Sequence, residues 1–528
     1  MKKINSFWLI LISSISLSTF YNYSFWQNVL EVYPFGQNWY YLISLFILIS
    51  SIIGLIFALL NSKYTLKPFL ILIILGSTFA GYFMDSYGVI IDDHMLQNAL
   101  ETNNSEVYDL ITLKLFVYFL FFGLLPSFLI YKVKIYYQDF RKELILKLQA
   151  IFLFFGLIVV MLFSFSTFYT SFFREHKPLR YYTNPTYYIY SVGKYLNTKF
   201  ATIEEFKQIG LDAKNISKDT KPKLLIIVVG EAARAASFSL NGYKNTTNPN
   251  LGLEDIINYQ NATSCGTETA VSVPCMFNIY NRTEYTDSIG KASENVLDVL
   301  NHAKINLLWR DNNSNSKGVA DRITYEDLNS ATDEKLCSSD ECFDEILLKD
   351  LQKYVDKQTG DTVIVLHQKG SHGPAYYKRY PKEFKKFTPI CESNQLELCT
   401  QEQIQNSYDN TILYTDYFLS KTIHFLKENQ KSYQTALIYS ADHGESLGEN
   451  GVYLHGMPYL LAPDFQTHIG FFQWFGDDFK KTFDINCLKK NSVKEVSHDN
   501  LFHSILGIME IDTTIYDKNF DIFSECKK

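Results

Sequence analysis

Five long apolar runs in the first third of the chain constrain its fold more than any other feature: roughly Ile4–Trp26, Trp39–Leu60, Pro68–Met84, Leu110–Tyr131 and Leu148–Phe173. A helix needs about 20 apolar residues to cross a bilayer, so the runs predict a five-helix transmembrane domain over residues 1–173. Only the Leu110–Tyr131 run carries a charge, Lys114, near one end where its ammonium would snorkel. The first run follows Lys2 and Lys3 as a secretory signal would. No A-x-A cleavage pattern comes after it and four more runs do, so it is read as retained. Loop charge sets the orientation, because Lys and Arg stay cytoplasmic. Asn61–Lys67 holds Lys63 and Lys67, and Lys132–Lys147 holds Lys132, Lys134, Arg141, Lys142 and Lys147. Gln27–Asn38 and Asp85–Asp109 hold no cation. Five spans from a cytoplasmic N-terminus put the rest of the chain outside.

That remainder has the composition of an ordinary soluble domain. All eight cysteines lie in it, at 265, 275, 337, 342, 391, 399, 487 and 526. Close pairs confined to one half suggest disulfides made in an oxidising compartment, in agreement with the outward placement. Zinc-finger ligation is the rival, but no C-x-x-C occurs and no histidine follows at finger spacing. Whether Cys487 and Cys526 pair stays open. The formal charge of −7 argues against nucleic acid as a partner. Residues 174–222 read as a connector whose Tyr187–Leu196 stretch is aromatic and amphipathic, fit to lie on a membrane surface. From 223 to 528, apolar runs alternate with helical patterns. Lys223–Glu231, Ile305–Trp309, Asp361–His367 and Thr435–Ser440 read as buried strands, and Ser293–Lys304 and Thr411–Glu428 as helices. This order implies an α/β domain with a mainly parallel sheet covered by helices.

In such sheets ligands gather at the carboxyl ends of the strands, and the polar residues fall there. Glu231 ends the first strand; Asp442 and His443 end the last. A carboxylate at a strand end is often only a turn residue, but Asp442-His443 puts two ligand types at one buried tip. Between them in the chain, Thr269 stands in the small-residue stretch Ser264–Cys275. An apolar run follows that would open a helix, whose N-terminus favours phosphate. A threonine hydroxyl is a weak nucleophile until a base or a metal activates it. Glu231, Thr269, Asp442 and His443 make an O, O, O, N set that suits four-coordinate zinc. His372 and His455, each before a glycine, would bind a second metal or the substrate phosphate, and Lys317 the phosphate. His367 is read as a supporting residue at most. His94, His176, His302, His424, His468, His498 and His503 are read as non-catalytic. In the outer loop Asp85–Asp109, Asn98, Thr102 and Glu106 recur every four residues. A helix would align them on one polar face, suited to an ammonium-bearing headgroup.

These residues sit in seven blocks: Gly230–Arg234, Phe238–Tyr243, Ser264–Thr269, Ser272–Phe277, Trp309–Asn313, His372–Tyr380 and Ser440–Gly448. In that order they resemble the lipid A phosphoethanolamine transferases, including the mobile colistin-resistance enzymes. The resemblance covers nearly the whole chain. It implies an outer domain similar to alkaline phosphatases and sulfatases, periplasmic and anchored in the bacterial inner membrane. It implies zinc, one ion tightly bound with room for a second, held by Glu231, Thr269, Asp442 and His443. Thr269 would attack phosphatidylethanolamine, release diacylglycerol and pass the phosphoethanolamine to a lipid A phosphate. His372 and His455 match phosphate-side or second-metal residues, as do Lys317 and Asn313. Asn98, Thr102 and Glu106 match headgroup contacts in the membrane half. Disulfides are implied for Cys265–Cys275, Cys337–Cys342 and Cys391–Cys399. A monomer is expected. Lowering the surface negative charge would reduce the binding of polymyxin and other cationic peptides. The alternatives are the same chemistry on a core sugar, Kdo, a glycan or a protein, or a phospholipase C-like phosphodiesterase.

Overall fold

The computed structural model describes residues 3–102, 104–200, 205–338 and 341–528. They form two units: Met1–Leu96 with Ile111–Asn197, and Gln97–Leu110 with Thr198–Lys528.

The first unit is helical. Among the described residues, four helices are long and apolar enough to cross a membrane: Phe35–Leu59, Leu66–Tyr87, Leu113–Lys132 and Phe140–Ser164. The five-span expectation therefore resolves into these four and a shorter apolar helix, Ser6–Phe20. The first run breaks because two asparagines take the carbonyls that a continuing helix would use. Asn22 Nδ2 donates to Leu17 O at 2.7 Å and Asn184 Nδ2 to Tyr21 O at 3.0 Å. A second helix, Tyr23–Val32, follows. The last span also begins earlier than its apolar run, at Phe140, and ends at Phe165, where Ser166–Glu175 starts as a separate helix. Gly88 ends the helix Leu66–Tyr87 at φ +69, a left-handed turn that glycine takes without strain.

The second unit is built on a seven-stranded sheet. Its strands are β1 Lys223–Gly230, β2 Ile256–Asn258, β3 Asn306–Asp311, β4 Thr324–Asp327, β5 Thr362–His367, β6 Gln434–Ala441 and β7 Phe471–Phe475. They lie in the order β2-β7-β6-β1-β5-β3-β4. The four apolar runs form the parallel centre, and β7 runs antiparallel to β6 and β2 at one side. Every residue of β1 is buried, as a strand covered on both faces must be. The long helix Gln401–Asn429 packs against the sheet and begins ten residues before its sequence pattern predicts. A capping box explains the early start: Thr400 accepts from Gln403 N at 3.3 Å, and Gln403 accepts from Thr400 N at 2.8 Å.

Disulfides join Cys265–Cys275, Cys337–Cys342, Cys391–Cys399 and Cys487–Cys526. The last closes the pair that sequence leaves open. The polar face expected of Asn98, Thr102 and Glu106 is not one helix. The helix Asp93–Glu101 ends before Thr102 and another, Asn104–Leu110, begins after it. The Glu106 side chain lies outside the described residues.

Candidate active site

Parallel register carries the tips of β1 and β6 to the same level, Gly230 opposite Ala441, so Glu231 and Asp442-His443 emerge side by side. Thr269 arrives from a loop and begins the helix Thr269–Met276. Cys265–Cys275 ties that helix back to its own loop, and Ser272 Oγ donates to the carbonyl of Asp442. This helix and the strand tip are thus joined one turn from Thr269.

The four side chains converge. Thr269 Oγ donates to Glu231 Oε2 at 3.0 Å and lies 3.4 Å from His443 Nε2. His443 Nε2 is 3.3 Å from Glu231 Oε1 and 3.4 Å from Asp442 Oδ2. Glu231, Asp442 and His443 are fully buried. Gly370 makes room beside them. Its φ is +51, and a Cβ there would come within 2.7 Å of the Glu231 carbonyl.

The electrostatics are those of two carboxylates sharing one imidazole. Burial pushes the Glu231 carboxyl up, but His443 outweighs it and holds Glu231 well below the ordinary range. Burial, with the Glu231 charge, raises Asp442 to about 6. Burial depresses His443, but Asp442 and Glu231 overcome it and raise the imidazole to about 10. A divalent cation fits this site. Glu231 Oε1 and Asp442 Oδ2 are buried with no hydrogen-bond partner among the described residues. Nδ1 of His443 donates to Gly444 O at 2.8 Å, which leaves Nε2 facing the carboxylates. Three oxygens and a nitrogen within reach of one point suit zinc.

A second cluster adjoins the first. The rings of His443 and His455 are 4.3 Å apart between centroids, and those of His455 and His372 are 5.5 Å apart. His443, Glu445 and His455 are also close enough to share a metal. Glu445 is missed by sequence reasoning, although it stands in the motif that gives Asp442 and His443. It accepts from His455 Nδ1 at 2.8 Å and from the Tyr376 hydroxyl at 2.7 Å, and so turns Nε2 of His455 outward.

Asn313 joins the same cluster. Its Nδ2 donates to Glu231 Oε2 at 2.8 Å and to Gln368 O at 2.7 Å, so the amide steadies the Glu231 carboxylate. Lys317 Nζ donates to Glu101 O at 3.1 Å, at the end of the helix that carries Asn98. His367 is buried behind the site with Nδ1 on Asp311 Oδ2 at 2.9 Å. His498, set aside as ordinary, is bonded to the loop before Thr269 and to the end of β6. Its only sequence signal is a helix-capping pattern, Ser497–Asn500.

Comparison with known proteins agrees with this geometry. A sulfatase family model matches residues 223–511, and a phosphoethanolamine transferase EptA/EptB model matches residues 49–200. The phosphatidylethanolamine transferase Mcr-2 of Escherichia coli is 40% identical over 96% of this chain and 96% of its own. This chain belongs to the phosphoethanolamine transferase family. The integral membrane protein lipooligosaccharide phosphoethanolamine transferase A (EptA) from Neisseria meningitidis, 34% identical, covers 100% of both chains with a TM-score of 0.96. The soluble domain of that meningococcal enzyme, solved by itself, is 39% identical with a TM-score of 0.60 and covers 61% of this chain and 99% of its own. This transferase is accordingly a membrane enzyme with a sulfatase-like catalytic unit.

Proposed function

We propose that this transferase moves phosphoethanolamine from phosphatidylethanolamine to a phosphate of lipid A by way of Thr269. The observation that carries the reading is the Thr269 hydroxyl, 3.0 Å from Glu231 Oε2 and 3.4 Å from His443 Nε2, at the start of a helix. The relatives' names supply the transferred group. Glu231, Thr269, Asp442 and His443 would hold one zinc ion, with room for a second beside His372 and His455. Bound zinc would favour loss of the hydroxyl proton and offset charge on the phosphoryl oxygens.

The residues divide the work. Oγ of Thr269 attacks phosphorus, a bond to Oγ forms, the bond to the glycerol oxygen breaks and diacylglycerol leaves with a proton. His372 and His455 would supply that proton, and Glu445 orients His455. A lipid A phosphate oxygen then attacks phosphorus, the bond to Oγ breaks and the hydroxyl is restored. The helix N-terminus at Thr269 favours the phosphate in both steps. Lys and Arg in the loops between spans, with disulfides confined to the second unit, support a periplasmic site on an inner-membrane anchor.

The test is mass spectrometry of lipid A from a Gram-negative host without its own transferases, expressing this chain or its Thr269→Ala variant. Added phosphoethanolamine with the intact chain alone supports acceptor and nucleophile together. Addition by both removes Thr269 from the mechanism. Free phosphoethanolamine with unmodified lipid A points to a phosphodiesterase. Modified cells are also expected to bind less polymyxin.

A further inference from the structure

Gln97–Leu110 comes from between two spanning helices in the sequence, yet it belongs to the catalytic unit. Asp109 fastens it there. Its side chain is 3% exposed and meets two cations, Lys378 on Oδ1 and Arg379 Nη2 on Oδ2, the latter at 2.7 Å. Its carbonyl accepts from Asn394 Nδ2 at 2.6 Å. Arg379 is fully committed around this point. Nη1 bonds Glu341, and Nε donates to the carbonyl of His372 at 2.8 Å. One guanidinium therefore joins the end of the inserted segment, a carboxylate of the catalytic unit and the backbone of His372. A second tie lies at Glu101, whose carbonyl accepts from Lys317. Thr102 falls between the two ties, and Asn98 one turn before the first.

A buried ion pair is a weak source of stability, because an apolar pair of similar volume does as well. Its geometry is another matter. The planar fork of arginine fixes three partners at set angles, which a lysine point charge does not. We propose that Arg379, acting through Asp109, is a positioning residue that sets the inserted segment against His372, so that a zwitterionic phospholipid headgroup meets both at once. The inference rests on the reading above in which Asn98 and Thr102 face that headgroup.

The experiment uses the full chain in mixed detergent–phosphatidylethanolamine micelles. Diacylglycerol release is followed against donor concentration for Asp109→Asn, Arg379→Lys, their double variant and Asn394→Ala. Amide exchange is measured on each. The expected result is a rise in donor KM of roughly tenfold or more for either variant, because Asp109→Asn removes a buried counter-charge of Arg379, and Arg379→Lys keeps the charge but loses the fork that joins Asp109, Glu341 and the His372 carbonyl. The double variant should cost far less than the product of the two. Asn394→Ala, which leaves no charge unpaired, should raise KM by roughly threefold, in keeping with one lost neutral hydrogen bond. Transfer from preloaded Thr269 to acceptor should keep its rate, since a donor-positioning role touches only the first step. Exchange should quicken in 97–110 and not in the central strands. Faster exchange in 97–110 with donor KM unchanged would overturn the inference. So would faster exchange in the strands of both Asp109→Asn and Asn394→Ala, because the tie would then serve the fold. If the unaltered chain released no diacylglycerol, the transfer reading would fail and take this inference with it; unchanged KM in an active enzyme fails this inference alone.

Discussion

His498 lends itself to a quantitative test, because its bonds require one protonation state. It is 2% exposed. Nδ1 accepts from Cys265 N at 3.1 Å and Nε2 donates to Ala441 O at 2.9 Å, a pattern only the neutral ring satisfies. Burial lowers its pKa from 6.5 to about 4. An unfolded chain takes up the proton near 6.5, the folded one only near 4, so the unfolded state binds more protons in between and stability falls as pH falls. Between neutral pH and about pH 5 the loss is ~2 kcal/mol, on its way to about 3 kcal/mol once both states are protonated. The perturbation is His498→Gln, which cannot titrate. The assay is reversible urea unfolding of residues 205–528, with disulfides intact and metal chelated, at about pH 7.5 and about pH 5. The soluble domain of the meningococcal relative, which covers 61% of this chain, was solved alone. The intact sequence should lose ~2 kcal/mol more than the variant between the two pH values. The variant should be less stable at the higher pH by about 1–3 kcal/mol, the cost of leaving a buried donor or acceptor unpaired. Equal pH slopes in the two proteins would refute the claim that His498 is held neutral by its place between the Thr269 loop and β6.

Two further outcomes are expected. Removal of the proposed zinc by a chelator should abolish transfer, and its rebinding to the metal-free enzyme at about pH 7 should release one proton from His443, which Asp442 and Glu231 keep protonated until a cation replaces the proton, and a further one to the extent that the Thr269 hydroxyl ionises. Calorimetry in buffers of different ionisation enthalpy measures it, and zinc affinity should rise with pH. Glu445→Gln should lower turnover by roughly 10–100-fold while leaving zinc in the proposed site at Thr269, since it alters none of the four residues there and removes the carboxylate that orients His455; turnover with metal content measured on the same sample checks this.

The parts of the structure that announced themselves in sequence are those with a strong local period or a dense local motif. β1, β3, β5 and β6 are continuous apolar runs, and the tips of β1 and β6 carry metal-binding candidates. The weaker strands have no such mark. β2 has three residues, and the aromatic run of β7 reads equally well as part of a helix. The point at which the first apolar helix ends, after Phe20, has no mark in the apolar run itself, because it depends on Asn184, far away in the chain. Asn313 carries the right functional group in the right block, but only three-dimensional packing decides that its amide faces Glu231. Glu445, Arg379 and His498 act on the site through other residues. Glu445 and Arg379 stand in marked blocks and His498 in a capping pattern, but only the folded contacts show which neighbour each one holds.

The inserted segment has a bearing on domain exchange between relatives. Asp109 comes from between two spanning helices, whereas Glu341, Arg379 and Asn394 lie hundreds of residues later. A chimera cut at the connector would inherit a guanidinium already bonded to the His372 backbone and leave its counter-charge with the other parent. A working hybrid would have to take residues 97–110 from the same parent as the catalytic sheet, so these two distant stretches form one unit of inheritance.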